Sequence, residues 1–106
     1  MTRKLVALAK ETEVPEGASR VFDLDTCRVA LCKVQGRFYA IEDVCSHDDG
    51  PLGEGCLTEH EIECPRHGAR FDVRSGQVTR MPAIAPVPIY PVKVEDGVVF
   101  VEIDAE

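Results

Sequence analysis

Two short runs in this chain pair a cysteine with a histidine: Cys45-Ser46-His47 and, after sixteen intervening residues, Cys64-Pro65-Arg66-His67, followed at once by Gly68. Thiolate and imidazole are soft or borderline donors, and four of them at turn-forming positions ask for a metal. A structural zinc site usually keeps its cysteines in one knuckle and its histidines on a helix, whereas here each run mixes the two types. Mixed runs suit a pair of irons bridged by sulfides, with each loop giving its Cys to the inner iron and its His to the outer one. Two Cys and two His also make a tetrahedral zinc site, so residue type alone leaves both readings open.

The remaining thiols and histidine read differently. Cys27 and Cys32 flank or lie in a predicted strand, five positions apart and so on opposite faces, which prevents easy chelation of one metal. Cys32 is expected in the core, Cys27 nearer a strand edge, and Cys56, after Gly53-Glu54-Gly55, as a packed loop residue. His60 sits in the acidic turn Thr58-Glu59-His60-Glu61 with no second ligand at a recognisable spacing, and is expected as a surface histidine. Phe22, Tyr39 and Phe100 are expected in the core.

The elements that must position the two runs are short. Seven prolines and eight glycines leave no window with a 3.6-residue apolar period. Val29 to Val34, the turn Gln35-Gly36-Arg37 and Phe38 to Ile41 predict one hairpin. Val92 to Glu95, Asp96-Gly97 and Val98 to Ile103 predict a second, because Asp-Gly supplies the positive-φ residues of a tight turn. Between them lie extended pieces at Glu61 to Cys64, Ala69 to Val73 and Gln77 to Thr79, the last two joined by Arg74-Ser75-Gly76. The expected fold class is all-β.

A chain of 106 residues, 44% hydrophobic and 29% charged, has the size and mix of one domain, residues 1–106. It hides only about two thirds of its unfolded surface, so a bound metal contributes noticeably to stability. The net charge of −7 argues against non-specific attraction to nucleic acid or an anionic membrane. No stretch approaches the roughly 18 consecutive apolar residues of a membrane span. Leu5-Val6-Ala7-Leu8-Ala9 is too short, and too quickly followed by Lys10-Glu11, for the core of a signal peptide. The expectation is a cytoplasmic protein with reduced thiols. Charge also segregates: Glu42 to Glu63 holds eight acids and no Lys or Arg, whereas Arg66 to Arg80 holds four Arg and one acid. This predicts either two solvated loop surfaces or a recognition surface.

Cys45-Ser46-His47 and Cys64-Pro65-Arg66-His67-Gly68 resemble the two cluster-binding boxes of Rieske iron–sulfur proteins. Phe38-Tyr39-Ala40-Ile41, Phe71-Asp72, Ser75-Gly76 and the closing hairpin are similar to small Rieske-type ferredoxins, so the resemblance covers nearly the whole chain. It implies a Rieske-like antiparallel β-sandwich with a small loop-rich cluster-binding subdomain at about residues 43–82. It further implies one [2Fe-2S] cluster held by Cys45, His47, Cys64 and His67.

The departures from the family pattern are informative. High-potential respiratory members carry a disulfide between the boxes, but the corresponding positions here are Gly50 and Arg66. Positions that hold Ser and Tyr hydroxyl donors in those members are Ala69 and Phe71. Donors to sulfur stabilise the reduced state, so their loss implies a potential at the low end of the Rieske range, about −150 mV. Asp48 and Asp49 push the same way if their charges lie near the cluster. Gly50 and Gly68 allow close backbone approach, and Met81-Pro82-Ala83 is the candidate for a proline-bearing loop that shields the cluster.

The function so implied is one-electron transfer without bond-making, by a carrier that is not itself an enzyme. Its partners would be a flavin-containing, NAD(P)H-dependent ferredoxin reductase and a terminal non-heme iron oxygenase of the aromatic-ring type with its own Rieske centre. No His follows His67, so the chain lacks a 2-His-1-carboxylate set after the boxes, and no nucleotide-binding glycine fingerprint is present. A small acidic carrier that docks and leaves quickly is expected to be a monomer. Two other classes remain: a regulatory or nitrite-reductase-small-subunit-like Rieske protein, and a zinc-stabilised structural interaction module.

Overall fold

The computed structural model of the chain describes residues 3–24, 27–44, 55–65, 68–81 and 85–104. Among these, the strands in chain order are β1 (Arg3–Lys10), β2 (Ser19–Asp23), β3 (Arg28–Val34), β4 (Arg37–Glu42), β5 (Leu57–Thr58), β6 (Glu61–Glu63), β7 (Arg70–Asp72), β8 (Val78–Arg80), β9 (Ile89–Tyr90), β10 (Val92–Glu95) and β11 (Val98–Asp104). A single 3₁₀ turn, Glu11–Glu13, is the helical element among the described residues, and no helix there is long and apolar enough to cross a membrane. The strands form three antiparallel sheets, ordered β1-β11-β10, β2-β3-β4-β9 and β5-β6-β7-β8.

The middle sheet is covered on both faces, which follows from the two-residue period of a strand. Val29 and Leu31 of β3 and Phe38 and Ala40 of β4 pack with Val99, Val101 and Ile103 of β11, making the core of a sandwich with the sheet that joins the chain's two ends. The alternate residues Ala30, Cys32 and Ile41 pack with Ile62, Cys64, Ala69, Phe71, Val73 and Val87 on the side of the small sheet. This double coverage explains why β3 reads as a nearly continuous apolar run. Phe71 and Leu31 are the largest fully buried side chains, each contributing about 1.5–3 kcal/mol by burial.

Both predicted hairpins form. Gln35-Gly36 (φ 52° and 77°) and Asp96-Gly97 (φ 52° and 78°) supply the paired positive φ angles of two-residue turns, with Val34 opposite Arg37 and Glu95 opposite Val98. The Glu16 carboxylate accepts hydrogen bonds from the backbone N–H of both Gln35 and Gly36, pinning the first turn from a loop twenty residues away. β1 and β2 were not evident in the sequence. β1 contains the Leu5–Ala9 run and pairs with β11, but a register shift between Ala7 and Ala9 breaks its alternation. Phe100, expected in the core, is half-buried, because Val99 and Val101 on either side of it take the inner face of β11.

Candidate metal centre

The second Cys/His run starts at Cys64, at the end of a hairpin strand. β6 and β7 pair as Glu61 with Asp72, Ile62 with Phe71 and Glu63 with Arg70, and the chain then leaves β6 at Cys64 and re-enters at Ala69. Cys64 N–H donates to the Ala69 carbonyl at 2.7 Å, and Gly68 N–H donates to the Cys64 carbonyl at 3.1 Å. The local sequence suits this closure. Pro65 fixes φ where the chain turns away and offers no N–H, while Gly68 takes a φ of +77° that disfavours side chains with a Cβ.

The hairpin holds Cys64 fully buried against Ile62, Ala69 and Phe71. A thiol presented from a closed turn within an apolar pocket fits a structural ligand of an iron–sulfur centre, since the surrounding wall excludes water and competing donors. Of the other expected ligands, Cys45, His47 and His67 lie outside the described residues, as do Asp48, Asp49, Gly50, Arg66 and Pro82. The approach to the first run is visible. Ile41 of β4 packs in the same core as Cys64, and two residues on Asp43 is buried and ion-pairs with Arg28 at 3.4 Å. Val44 N–H then bonds the Glu42 carbonyl at 2.8 Å, so the chain enters residue 45 through a tight bend at the edge of the core that buries Cys64.

Ala69 and Phe71 are both fully buried in that core, so the two positions read as lacking hydroxyl donors are apolar in a dry setting. Met81, at the end of β8, is 76% exposed. The far side of the proline-bearing segment is fastened through Gly76: its carbonyl accepts Val87 N–H at 2.9 Å, and an added Cβ would lie 2.1 Å from the Val87 carbonyl oxygen. With φ at +78° as well, only glycine fits. Asp72 organises the same turn, its carboxylate accepting from Arg74 Nε and Nη2 at 3.0 and 2.8 Å and from Arg74 N–H at 2.8 Å, which holds its carboxyl below the usual range.

The remaining thiols do not assemble a second site: among the described residues no three His, Cys, Asp or Glu side chains come together as metal ligands. Cys32 is buried as expected, and burial pushes its thiol up to about 12. Cys27 is half-buried and packs against the sandwich core. Cys56 corrects the expectation of a packed loop residue; it is exposed, because Leu57 beside it turns into the core. His60 is half-buried rather than a simple surface residue, with its ring edge-on to Tyr39 at a centroid distance of 5.7 Å.

Sequence reading missed the ion pairs that tie the hairpin. Arg70 donates to Glu63 Oε1 from Nε and Nη2 at 3.2 and 3.0 Å, and to Glu61 Oε1 from Nη1 at 3.5 Å. The alternation Glu61-Ile62-Glu63 signals that both carboxylates share a face of β6, but their partner emerges only once the register is known.

Known proteins share this architecture. The family model described as the Rieske [2Fe-2S] domain matches residues 4–91. The chain is 37% identical over 95 residues to the 3-phenylpropionate/cinnamic acid dioxygenase ferredoxin subunit of Photorhabdus laumondii, covering 89% of this chain and 90% of that relative. It superposes on the ferredoxin of carbazole 1,9a-dioxygenase from Nocardioides aromaticivorans IC177 with a TM-score of 0.88, at 35% identity over 92% of this chain and 95% of that one. A chain in the complex of reduced oxygenase and oxidized ferredoxin in carbazole 1,9a-dioxygenase matches at the same TM-score of 0.88, with 32% identity over 92% and 91% of the two chains.

Proposed function

The chain belongs to the Rieske [2Fe-2S] domain family, and on that premise we propose that it is the ferredoxin component of a dioxygenase system of the aromatic-ring type. It takes single electrons from a flavin-containing, NAD(P)H-dependent reductase and hands them to a terminal non-heme iron oxygenase with its own Rieske centre. The observation that carries this reading is a buried Cys64 on a closed hairpin turn, in a chain matched over 89% of its length by a dioxygenase ferredoxin subunit. The protein is a carrier rather than a catalyst. We assign it to the cytoplasm as a monomer, one domain of residues 1–106 with the cluster-binding subdomain at about 43–82.

Cys45 and Cys64 are the proposed thiolate ligands and His47 and His67 the imidazole ligands. When bound, the Rieske [2Fe-2S] cluster supplies reversible one-electron chemistry. The chain's own part is to fix the ligand loops, exclude water and set the potential. Gly68 closes the second loop without a side chain, and Ala69 and Phe71 line it with apolar surface that offers no hydroxyl to sulfur. That lining supports a midpoint potential at the low end of the family range, about −150 mV.

The test is electron paramagnetic resonance of the chemically reduced protein, with iron, zinc and acid-labile sulfide analysis of the same sample, followed by turnover with a reductase and a ring-hydroxylating oxygenase. A rhombic Rieske signal, iron and sulfide at about two each per chain, and turnover that depends on this protein are expected. A colourless protein holding one zinc overturns the electron-transfer reading. A loaded cluster that supports turnover with no such pair overturns the assignment to an oxygenase system.

A further inference from the structure

The Cys64 hairpin has legs of three residues each, β6 and β7, flanked in its sheet by β5 and β8, which are only two and three residues long. Its last paired residues before the turn are Glu63 and Arg70. There one guanidinium forks across two carboxylates, reaching Glu63 Oε1 at 3.0 and 3.2 Å and Glu61 Oε1 at 3.5 Å. Immediately beyond lies the Cys64 to Ala69 backbone bond. The other Glu63 oxygen, Oε2, is 3.6 Å from where a Cβ on Gly68 would sit, so the carboxylate extends from the leg of the hairpin over the closing residue of the loop.

We propose that Arg70 is a positioning residue for the metal centre, clamping the mouth of the Cys64 hairpin through Glu63 and Glu61. The proposal rests on the reading that Cys64 holds the [2Fe-2S] cluster. Releasing a ligand from a bound metal requires its loop to open, and opening starts where a short hairpin frays. Isolated surface ion pairs contribute little, but this one is a fork spanning three side chains that are each only about one-third exposed, and it joins the two legs. It also sets local charge. Without Arg70, two carboxylates stand uncompensated in the strand that ends at Cys64, and adding an electron there becomes harder.

The internal comparison is Arg74, whose pair with Asp72 is tighter, at 2.8 and 3.0 Å, but lies within the far turn of β7 and does not bridge the legs. The experiment uses the loaded wild-type protein and its Arg70→Met, Arg70→Lys, Glu63→Gln and Arg74→Met variants. It follows loss of the visible chromophore under an iron chelator and measures each midpoint potential. Arg70→Met is expected to lose the cluster about tenfold faster, the size of effect usual for groups that support metal ligands, and to have a lowered potential. Arg70→Lys should recover part of both, and Arg74→Met, which removes the same charge without unpinning the legs, should lose the cluster more slowly than Arg70→Met. Glu63→Gln breaks the same pair from the other strand, and its accelerated loss supports the clamp even where Arg70→Met cannot be loaded. Equal rates and potentials in Arg70→Met and wild type, or an equal acceleration in Arg74→Met, overturn the clamp. A wild-type protein free of iron and sulfide overturns the ligand reading beneath it, an outcome visible before any variant is made.

Discussion

A thiol sealed in an apolar core and a thiol on the surface are different reagents, and this chain carries both. Cys32 is fully buried with its thiol pushed up to about 12, while Cys56 is exposed. The thiolate is the reactive form, so near pH 8 Cys32 offers about three orders of magnitude less of it than an ordinary thiol of pKa ~8.5. Iodoacetamide applied to the native holoprotein should therefore modify Cys56 first and leave Cys32 intact until the protein unfolds, as read by peptide mass mapping. Modification of Cys32 at the rate of Cys56 would contradict the packing described for β3. The burial of Cys64 was legible in the same way: its neighbours Pro65 and Gly68 mark a turn, and the apolar residues Ile62, Ala69 and Phe71 around it supply the core that covers it. Cys56 was not legible, because its exposure depends on which way Leu57 points in β5, and two residues carry no readable period.

At the scale of elements, the turn between β3 and β4 depends on a carboxylate outside both strands. Glu16 accepts from the N–H groups of Gly36 and Gln35, and these bonds hold its carboxyl below the ordinary glutamate range. A group depressed in the folded state stabilises the fold above its unfolded pKa, about 4.3, and that contribution disappears as pH falls through the lowered folded value. Wild-type melting temperature should thus decline as pH drops below this range, and Glu16→Gln should flatten a minor part of the decline while melting lower at neutral pH. A Glu16→Gln profile that parallels the wild type at every pH would contradict the contact. The hairpins themselves were readable, since Asp96-Gly97 and Gln35-Gly36 announce left-handed turns between alternating residues. What escaped was anything defined by pairing across distance: the bulged β1, the Glu16 cap and the Arg70 fork each become visible only when a strand's partner and register are known.

For the whole molecule, the two blocks of opposite charge in the sequence meet, among the described residues, where Arg70 pairs with Glu61 and Glu63, while Arg74 is taken up by Asp72 within its own segment. The field that remains is that of a chain with net charge −7, which favours a partner with a basic docking face. Electron transfer to such a partner should slow by about tenfold between low ionic strength and 0.5 M salt, a dependence stopped-flow kinetics would reveal; a flat profile would mean that docking is apolar. The pairing of Arg3 with Asp104 carries a different consequence. The polypeptide enters and leaves the fold side by side, on the sheet whose inner residues Val99 and Val101 pack with Val29 and Leu31 and not with Cys64. Ends that share one doorway give the fold a single mooring point: a tether, tag or neighbouring module spliced there meets β1 and β11 together, on strands that contribute nothing to the core around Cys64.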